Sequence, residues 1–133
     1  MTTRNIIDTD DAPAAVGPYS QAIRTGNLVF TAGQIAIDPA SGHFVGGDVT
    51  TQTRQALTNL RAVLHASGSG MEHVVKTTIF LTTMDHYAAV NQVYAEFFSA
   101  APPARSAVAV AELPLGALVE IECVAVVMED TDN

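Results

Sequence analysis

The sequence predicts a single domain over residues 1–133 of the α+β class, with six strands and two helices on one face of the sheet. Two segments, 48–67 and 85–98, carry apolar residues at the spacing of an amphipathic helix. The segments around them are rich in Val, Ile and Thr, which is typical of strands. Two helices of this length cover only one face of such a sheet, so we expect a partner to cover the other.

The N-terminal part is predicted to be an irregular loop beside a short edge strand. Residues 1–11 are polar and acidic apart from two isoleucines, and the stretch 11–21 contains two prolines and a glycine. These residues forbid regular structure, and a rigid loop can hold Tyr19 and Gln21 with little residual freedom. The alternative is a plain connector with Tyr19 at the edge of the core.

A β-hairpin follows the loop. Segments 22–25 and 28–32 read as its strands, and Gly26-Asn27 is a two-residue turn. We expect 33–37 to extend the second strand, with Gly33 marking a bulge or a close approach of the backbone.

Both helices have recognisable ends. Asp48 is predicted to cap the first helix, and Gly68 supplies a left-handed stop, which places that helix at about 48–67. Asp85 is predicted to cap the second helix. The buried side of this second helix is expected to consist of Tyr87, Val90, Tyr94, Phe97 and Phe98.

Three strands complete the fold, at 74–82, 107–111 and 118–128. In the last strand one alternating row is apolar, and the other begins with Glu120 and Glu122 and continues with apolar residues. A helix or a second subunit is therefore expected to cover the carboxylate face. An acid at a covered edge is a candidate for a raised pKa and for acid–base chemistry. The alternative is that both acids keep an exposed strand soluble.

Composition argues against several classes of function. The net charge is −8 with only six Lys and Arg, which are scattered, so a long nucleic acid would be repelled. Arg105 is the only Lys or Arg after Lys76, and a small anion held by one such residue is still allowed. No glycine-rich phosphate loop is present, and the four histidines lack metal-ligand spacing.

The compartment is expected to be cytoplasmic. The chain has no run of about 18 apolar residues and no apolar leader near its start. Its one cysteine, Cys123, excludes an internal disulfide and lies in the apolar row of the last strand, which indicates a buried thiol.

Several motifs together resemble the RidA/YjgF family of reactive-intermediate deaminases. The resemblance spans nearly the whole chain. It implies a chorismate-mutase-like fold with a six-stranded mixed sheet, and a homotrimer with active sites between subunits. The motifs that carry it are Ala12–Gln21, Gly33-Gln34-Ile35, Lys76-Thr77-Thr78, Val90-Asn91 with Tyr94 and Phe97-Phe98, Pro103-Ala104-Arg105-Ser106, and Val119-Glu120-Ile121-Glu122.

The resemblance also implies an activity. It is the hydrolysis of 2-imino and enamine acids, such as 2-aminoacrylate and 2-iminobutanoate, to 2-oxo acids and ammonia, without a metal or organic cofactor. Arg105 would grip the substrate carboxylate with two hydrogen bonds, and Glu120 would polarise the attacking water. The remaining implied site residues are Tyr19, which lines the pocket, and Gly33, Asn91 and Ala107, which bind substrate.

Two positions depart from the family, and one of them is Ala32, which stands where many members carry Ser. Ala107 stands where Cys is frequent, so a mechanism that needs a sulfur nucleophile there is excluded. Two alternatives stay open: a related deaminase for another enamine acid, of the 3-aminoacrylate or 2-aminomuconate type, and a non-catalytic metabolite-binding or chaperone-like protein. Cleavage of RNA, also ascribed to the family, conflicts with the charge of −8.

Overall fold

A computed structural model of the chain describes residues 3–128. Its sheet has the order β1-β2-β3-β6-β4-β5, in which only β4 and β5 pair in parallel. The predicted α+β fold, with its mixed sheet of six strands and two helices, is therefore confirmed. The elements are β1 (Arg4–Ile7), β2 (Ala22–Thr25), β3 (Leu28–Thr31), α1 (Val49–Ala66), β4 (Val74–Leu81), α2 (Tyr87–Phe97), β5 (Ala104–Ala109) and β6 (Val119–Val126).

The strand register assigns each sheet residue to one of two faces. Thr77 on β4 lies opposite Cys123 on β6, and Ile79 lies opposite Ile121. All four are buried, and the apolar ones pack in the core that α1 and α2 share with the sheet. The alternate residues, including Glu120, lie on the opposite face, which neither helix covers.

The ends of α1 agree with the prediction. The side chain of Asp48 accepts a hydrogen bond from Thr51 N at 2.8 Å. Gly68 has φ +81, a left-handed conformation that ends the helix without a steric penalty.

The predicted start of the second helix is wrong. Asp85 lies inside a 3₁₀ turn, Met84–His86, and α2 begins at Tyr87. The Thr83 hydroxyl accepts the backbone N–H of Asp85 at 3.1 Å. Thr83 is itself a good capping residue, so the chain begins its first turn two residues earlier than expected.

The predicted extension of the hairpin through 33–37 is also wrong. β3 ends at Thr31, and segment 33–37 forms two isolated bridges instead of a strand, Gln34 with Ile121 and Ile37 with Phe44. The Thr31 hydroxyl accepts the backbone N–H of Cys123 at 3.0 Å, so a side chain replaces one backbone bond of the ladder. The pairing with β6 resumes one residue out of register.

One other boundary and one expected burial differ from the prediction. The strand predicted at 107–111 begins earlier, at Ala104, so Arg105 belongs to regular structure. Tyr87 was expected on the buried side of α2, but it is exposed because its hydroxyl turns outward to a polar partner. The predicted loose tail from 129 onward lies outside the described residues.

Candidate active site

One group of polar side chains surrounds Arg105 at the edge of the sheet. Arg105 pairs with Thr77 in the register of β5 and β4, which places it on the helix-covered face. Its Nη1 donates to Asn91 Oδ1 and its Nη2 donates to Tyr87 Oη, both at 2.7 Å. The guanidinium carbon also lies 5.3 Å from the ring centroid of Tyr87 and 4.9 Å from that of Tyr94.

Within residues 3–128, the side chains that contact the Arg105 guanidinium all belong to helix α2. Tyr87, Asn91 and Tyr94 are spaced by four and three residues, so they share one side of the helix. The hydroxyl of Tyr94 is hydrogen-bonded to Thr77 Oγ1 at 2.7 Å, which fixes that ring against the sheet. Burial raises the pKa of Tyr94, so this hydroxyl stays protonated at neutral pH.

The Arg105 guanidinium has N–H groups that are not used in hydrogen bonds within residues 3–128. Two ion pairs are present within residues 3–128, Arg54 with Glu96 and Glu72 with His73, and neither involves Arg105. A guanidinium carries five N–H groups. Among the residues that the structure describes, only two of these groups have acceptors, both on α2, so three are left for a ligand. A planar cation held in this way suits a bidentate carboxylate.

A second group of residues surrounds Glu120. A cavity of about 460 Å³ is lined by Tyr19, Gly33 and Glu120 together with mainly apolar neighbours. Burial, and next the charge of Glu122, raise the pKa of the Glu120 carboxyl. A carboxyl with a raised pKa is a better proton acceptor than an ordinary one.

Gly33 lies directly against the Glu120 side chain. A Cβ built at position 33 would overlap the Glu120 carboxylate, so a larger residue there would displace it. The sequence pattern predicted either a bulge or a close approach at this glycine, and the structure has the close approach.

The loop that carries Tyr19 is held by a buried amide. Gln21 Oε1 accepts from Thr9 N at 2.7 Å. Its Nε2 lies within hydrogen-bonding distance of the carbonyl oxygens of Thr9, Ala12 and Pro13, at 3.0, 3.3 and 2.8 Å. Tyr19 itself is 53% exposed and lines the cavity, so it is not tucked against the core.

Within one chain the two groups do not meet. Arg105, Asn91 and Ala107 belong to the helix-covered side, since Ala107 lies opposite Ile79. Glu120 projects from the other face, with Tyr19 and Gly33 beside it. The structure therefore places the predicted site residues in two separate groups on opposite faces of one sheet.

Sequence reasoning missed two members of the Arg105 group. Both tyrosines were assigned to the core because they fit the apolar stripe of α2; Tyr94 is indeed buried there, whereas Tyr87 is exposed. The sequence signal that could have identified them is two tyrosines flanking Asn91 at helical spacing. A tyrosine hydroxyl usually forms a hydrogen bond with a polar partner.

Other chemistries find little support in residues 3–128. No group of three or more His, Cys, Asp or Glu is placed to hold a metal ion in this range. The Cys123 thiol is buried, as predicted, and burial raises its pKa to about 12. None of the described helices is long and apolar enough to span a bilayer.

Comparison with known proteins places the chain among close relatives. A family model described as Endoribonuclease L-PSP matches residues 9–127. A RutC family protein of Synechocystis sp. is 56% identical over 126 residues, which are 93% of this chain and 97% of that protein. The mouse 2-iminobutanoate/2-iminopropanoate deaminase is 46% identical over 123 residues, 92% of this chain and 91% of its own.

Solved structures agree with these relatives. The crystal structure of Escherichia coli TdcF with bound serine superposes with a TM-score of 0.89 at 41% identity. The match covers 93% of this chain and 99% of TdcF.

Proposed function

This chain belongs to the Endoribonuclease L-PSP family, also called YjgF/RidA, and from that premise we propose that it is an imine deaminase. The proposed reaction is hydrolysis of 2-iminopropanoate, its enamine tautomer 2-aminoacrylate, and 2-iminobutanoate to 2-oxo acids and ammonia. The mouse relative named for this activity supports the proposal.

The proposal rests on the surroundings of the Arg105 guanidinium, which is held in place but has no carboxylate partner within residues 3–128. Asn91 and Tyr87 hold it in one orientation, and two phenol rings flank it. No carboxylate within residues 3–128 forms an ion pair with it. A substrate carboxylate would supply the missing anion. Each charge-assisted hydrogen bond of this kind stabilises a complex by about 1.5–3 kcal/mol.

Glu120 is proposed as the general base. It takes a proton from water while the water oxygen bonds to the C=N carbon and the C=N electron pair moves to nitrogen. Glu120 returns that proton to nitrogen, which gives a carbinolamine. It then moves the proton of the carbinolamine hydroxyl to the same nitrogen, so that the C–N bond breaks, ammonia leaves and the C=O bond forms. The phenol of Tyr19, in the same cavity, hydrogen-bonds to the water or to the substrate.

We propose that the two groups are the halves of one site, which forms between the protomers of a homotrimer. In such an assembly the Arg105 half of one protomer faces the Glu120 half of the next. The uncovered sheet face supports this arrangement, since Phe30 and Val108 lie exposed on it. Exposed apolar patches of this kind mark interaction surfaces.

The experiment that tests the activity generates 2-aminoacrylate in situ from serine with a dehydratase. Purified protein should speed the appearance of pyruvate and ammonia above the spontaneous rate. Arg105→Ala removes two charge-assisted bonds, so kcat/KM should fall by about 10²–10⁴-fold. The matched control is Arg54→Ala, which removes a surface arginine paired with Glu96 and should change little.

Two outcomes would redirect the proposal. Unchanged kcat/KM in Arg105→Ala would mean that the guanidinium does not hold the substrate. Saturable binding of pyruvate that needs Arg105 but is accompanied by no turnover would assign the chain to metabolite binding. A panel of enamine acids, including 3-aminoacrylate, would separate the proposed substrates from those of a related deaminase.

A further inference from the structure

The turn that leads into β6 is built around an unexpected residue. Leu115 has φ 59 and ψ 20, Gly116 has φ 72, and Ala117 N donates to Pro114 O at 3.0 Å. These are the features of a type I′ turn, whose first central position favours Asn, Asp or Gly. Leu115 is the one non-glycine residue with positive φ within residues 3–128. The turn alone does not explain a leucine, because a branched side chain is strained there.

The side chain of Leu115 lines the Glu120 cavity. It is 67% exposed, and Val16 from the Tyr19 loop, which lines the same cavity, is 89% exposed. One chain by itself therefore leaves two aliphatic side chains uncovered in the lining of the cavity that contains Glu120. The apolar part of the lining also includes Pro13, Ile35, Ile37 and Pro114.

The cavity that one chain forms around Glu120 has room for more than a three-carbon acid. Its volume of about 460 Å³ lies in the range of roughly 300–1,000 Å³ that accommodates drug-sized ligands. A ligand that reaches from Glu120 to Leu115 would remove exposed aliphatic surface from water, which favours binding.

We propose that Leu115 and Val16 form an apolar subsite for the substrate side chain, and that this chain prefers 2-imino acids with branched or longer aliphatic side chains. This inference rests on the proposed function, which places the reacting carbon beside Glu120. The side chain of the substrate then extends along the apolar lining toward the turn. Leu115 is a specificity-determining residue in this arrangement.

The test measures binding of two 2-oxo acids that stand for the products. Calorimetric titration should show that 4-methyl-2-oxopentanoate binds about tenfold more tightly than pyruvate. Leu115→Asn fits the turn better, so the protein should be no less stable to denaturant. It should nevertheless bind the branched acid about tenfold more weakly, and pyruvate no more than about twofold more weakly.

A control substitution separates the subsite from general surface effects. Val45→Asn changes an exposed aliphatic residue outside the cavity and should leave the ratio of the two affinities unchanged. Equal affinity of the unmodified protein for the two acids would overturn the inference. So would an equal loss for both acids in Leu115→Asn, or dissociation of the assembly by that substitution.

Because the test measures binding, its result does not depend on whether the proposed imine hydrolysis occurs. Binding needs no turnover, so a protein that hydrolyses no imine can still show a Leu115-dependent preference for the branched acid. Where turnover is present, kcat/KM for the imines of leucine and alanine, generated by an amino acid oxidase, should follow the binding ratio.

Discussion

Mixing two inactive variants of this chain should restore activity. Arg105→Ala removes the carboxylate-binding group, and Glu120→Gln removes the proposed base with little change of shape. These side chains project from opposite faces of the sheet. A chain that lacks one of them can therefore still contribute the other to a site that it shares with a neighbour.

The size of the recovery follows from the geometry. In a closed ring of three protomers, each site takes Arg105 from one protomer and Glu120 from the next. When equal amounts of the two variants assemble at random, each group is present in half of the protomers. About one quarter of the sites are then complete. Each variant alone should lose about 10²-fold or more, so recovery to about a quarter stands far above background.

The assay unfolds the two variants together, refolds them, and measures pyruvate formation from serine-derived 2-aminoacrylate. Variants refolded separately and combined only in the cuvette should stay inactive, provided that protomers do not exchange. Wild-type chain refolded with an equal amount of the double variant should reach about one quarter, whereas a site within one chain would give about half. Mixed trimers seen by native mass spectrometry without recovered activity would refute the two-protomer site.

Three further predictions concern single residues. Tyr87→Phe keeps the ring beside Arg105 but removes its hydrogen bond, so KM should rise about tenfold with kcat nearly constant; an unchanged KM would contradict this role. Glu122→Gln removes a charge that raises the pKa of Glu120. Because the base acts when ionised, the acidic limb of the kcat/KM profile should move to lower pH; a shift to higher pH would contradict the cause assigned here. Burial raises the pKa of the Cys123 thiol to about 12, so thiol reagents at pH 8 should label it only as fast as the protein unfolds; rapid labelling would contradict its burial.

Local patterns were sufficient for much of the fold. Asp48 and Gly68 mark the ends of α1 because a cap and a left-handed glycine act within one turn of the helix. The period of two in β6 placed Glu120 and Glu122 on one face because alternation is a property of the strand itself.

Other features depend on contacts that no local pattern contains. Thr83 and Asp85 both suit a helix cap, and only the observed turn decides between them. The end of β3 depends on a hydroxyl of Thr31 reaching Cys123 across the sheet. The face of the sheet on which Arg105 lies depends on the register of β5 with β4. The sequence alone therefore could not predict that Arg105 and Glu120 lie on opposite faces.

The buried amide of Gln21 has a consequence for motion. Gln21 immediately precedes β2, and its side chain binds the backbone at Thr9, Ala12 and Pro13. Segment 9–21, although it contains no strand, is thereby coupled to the sheet, so it should open and close as one cooperative unit. The Thr9 amide proton should exchange with solvent only during such openings. The Tyr19 phenol can therefore leave its position in the cavity only as often as the Gln21 side chain breaks its hydrogen bonds.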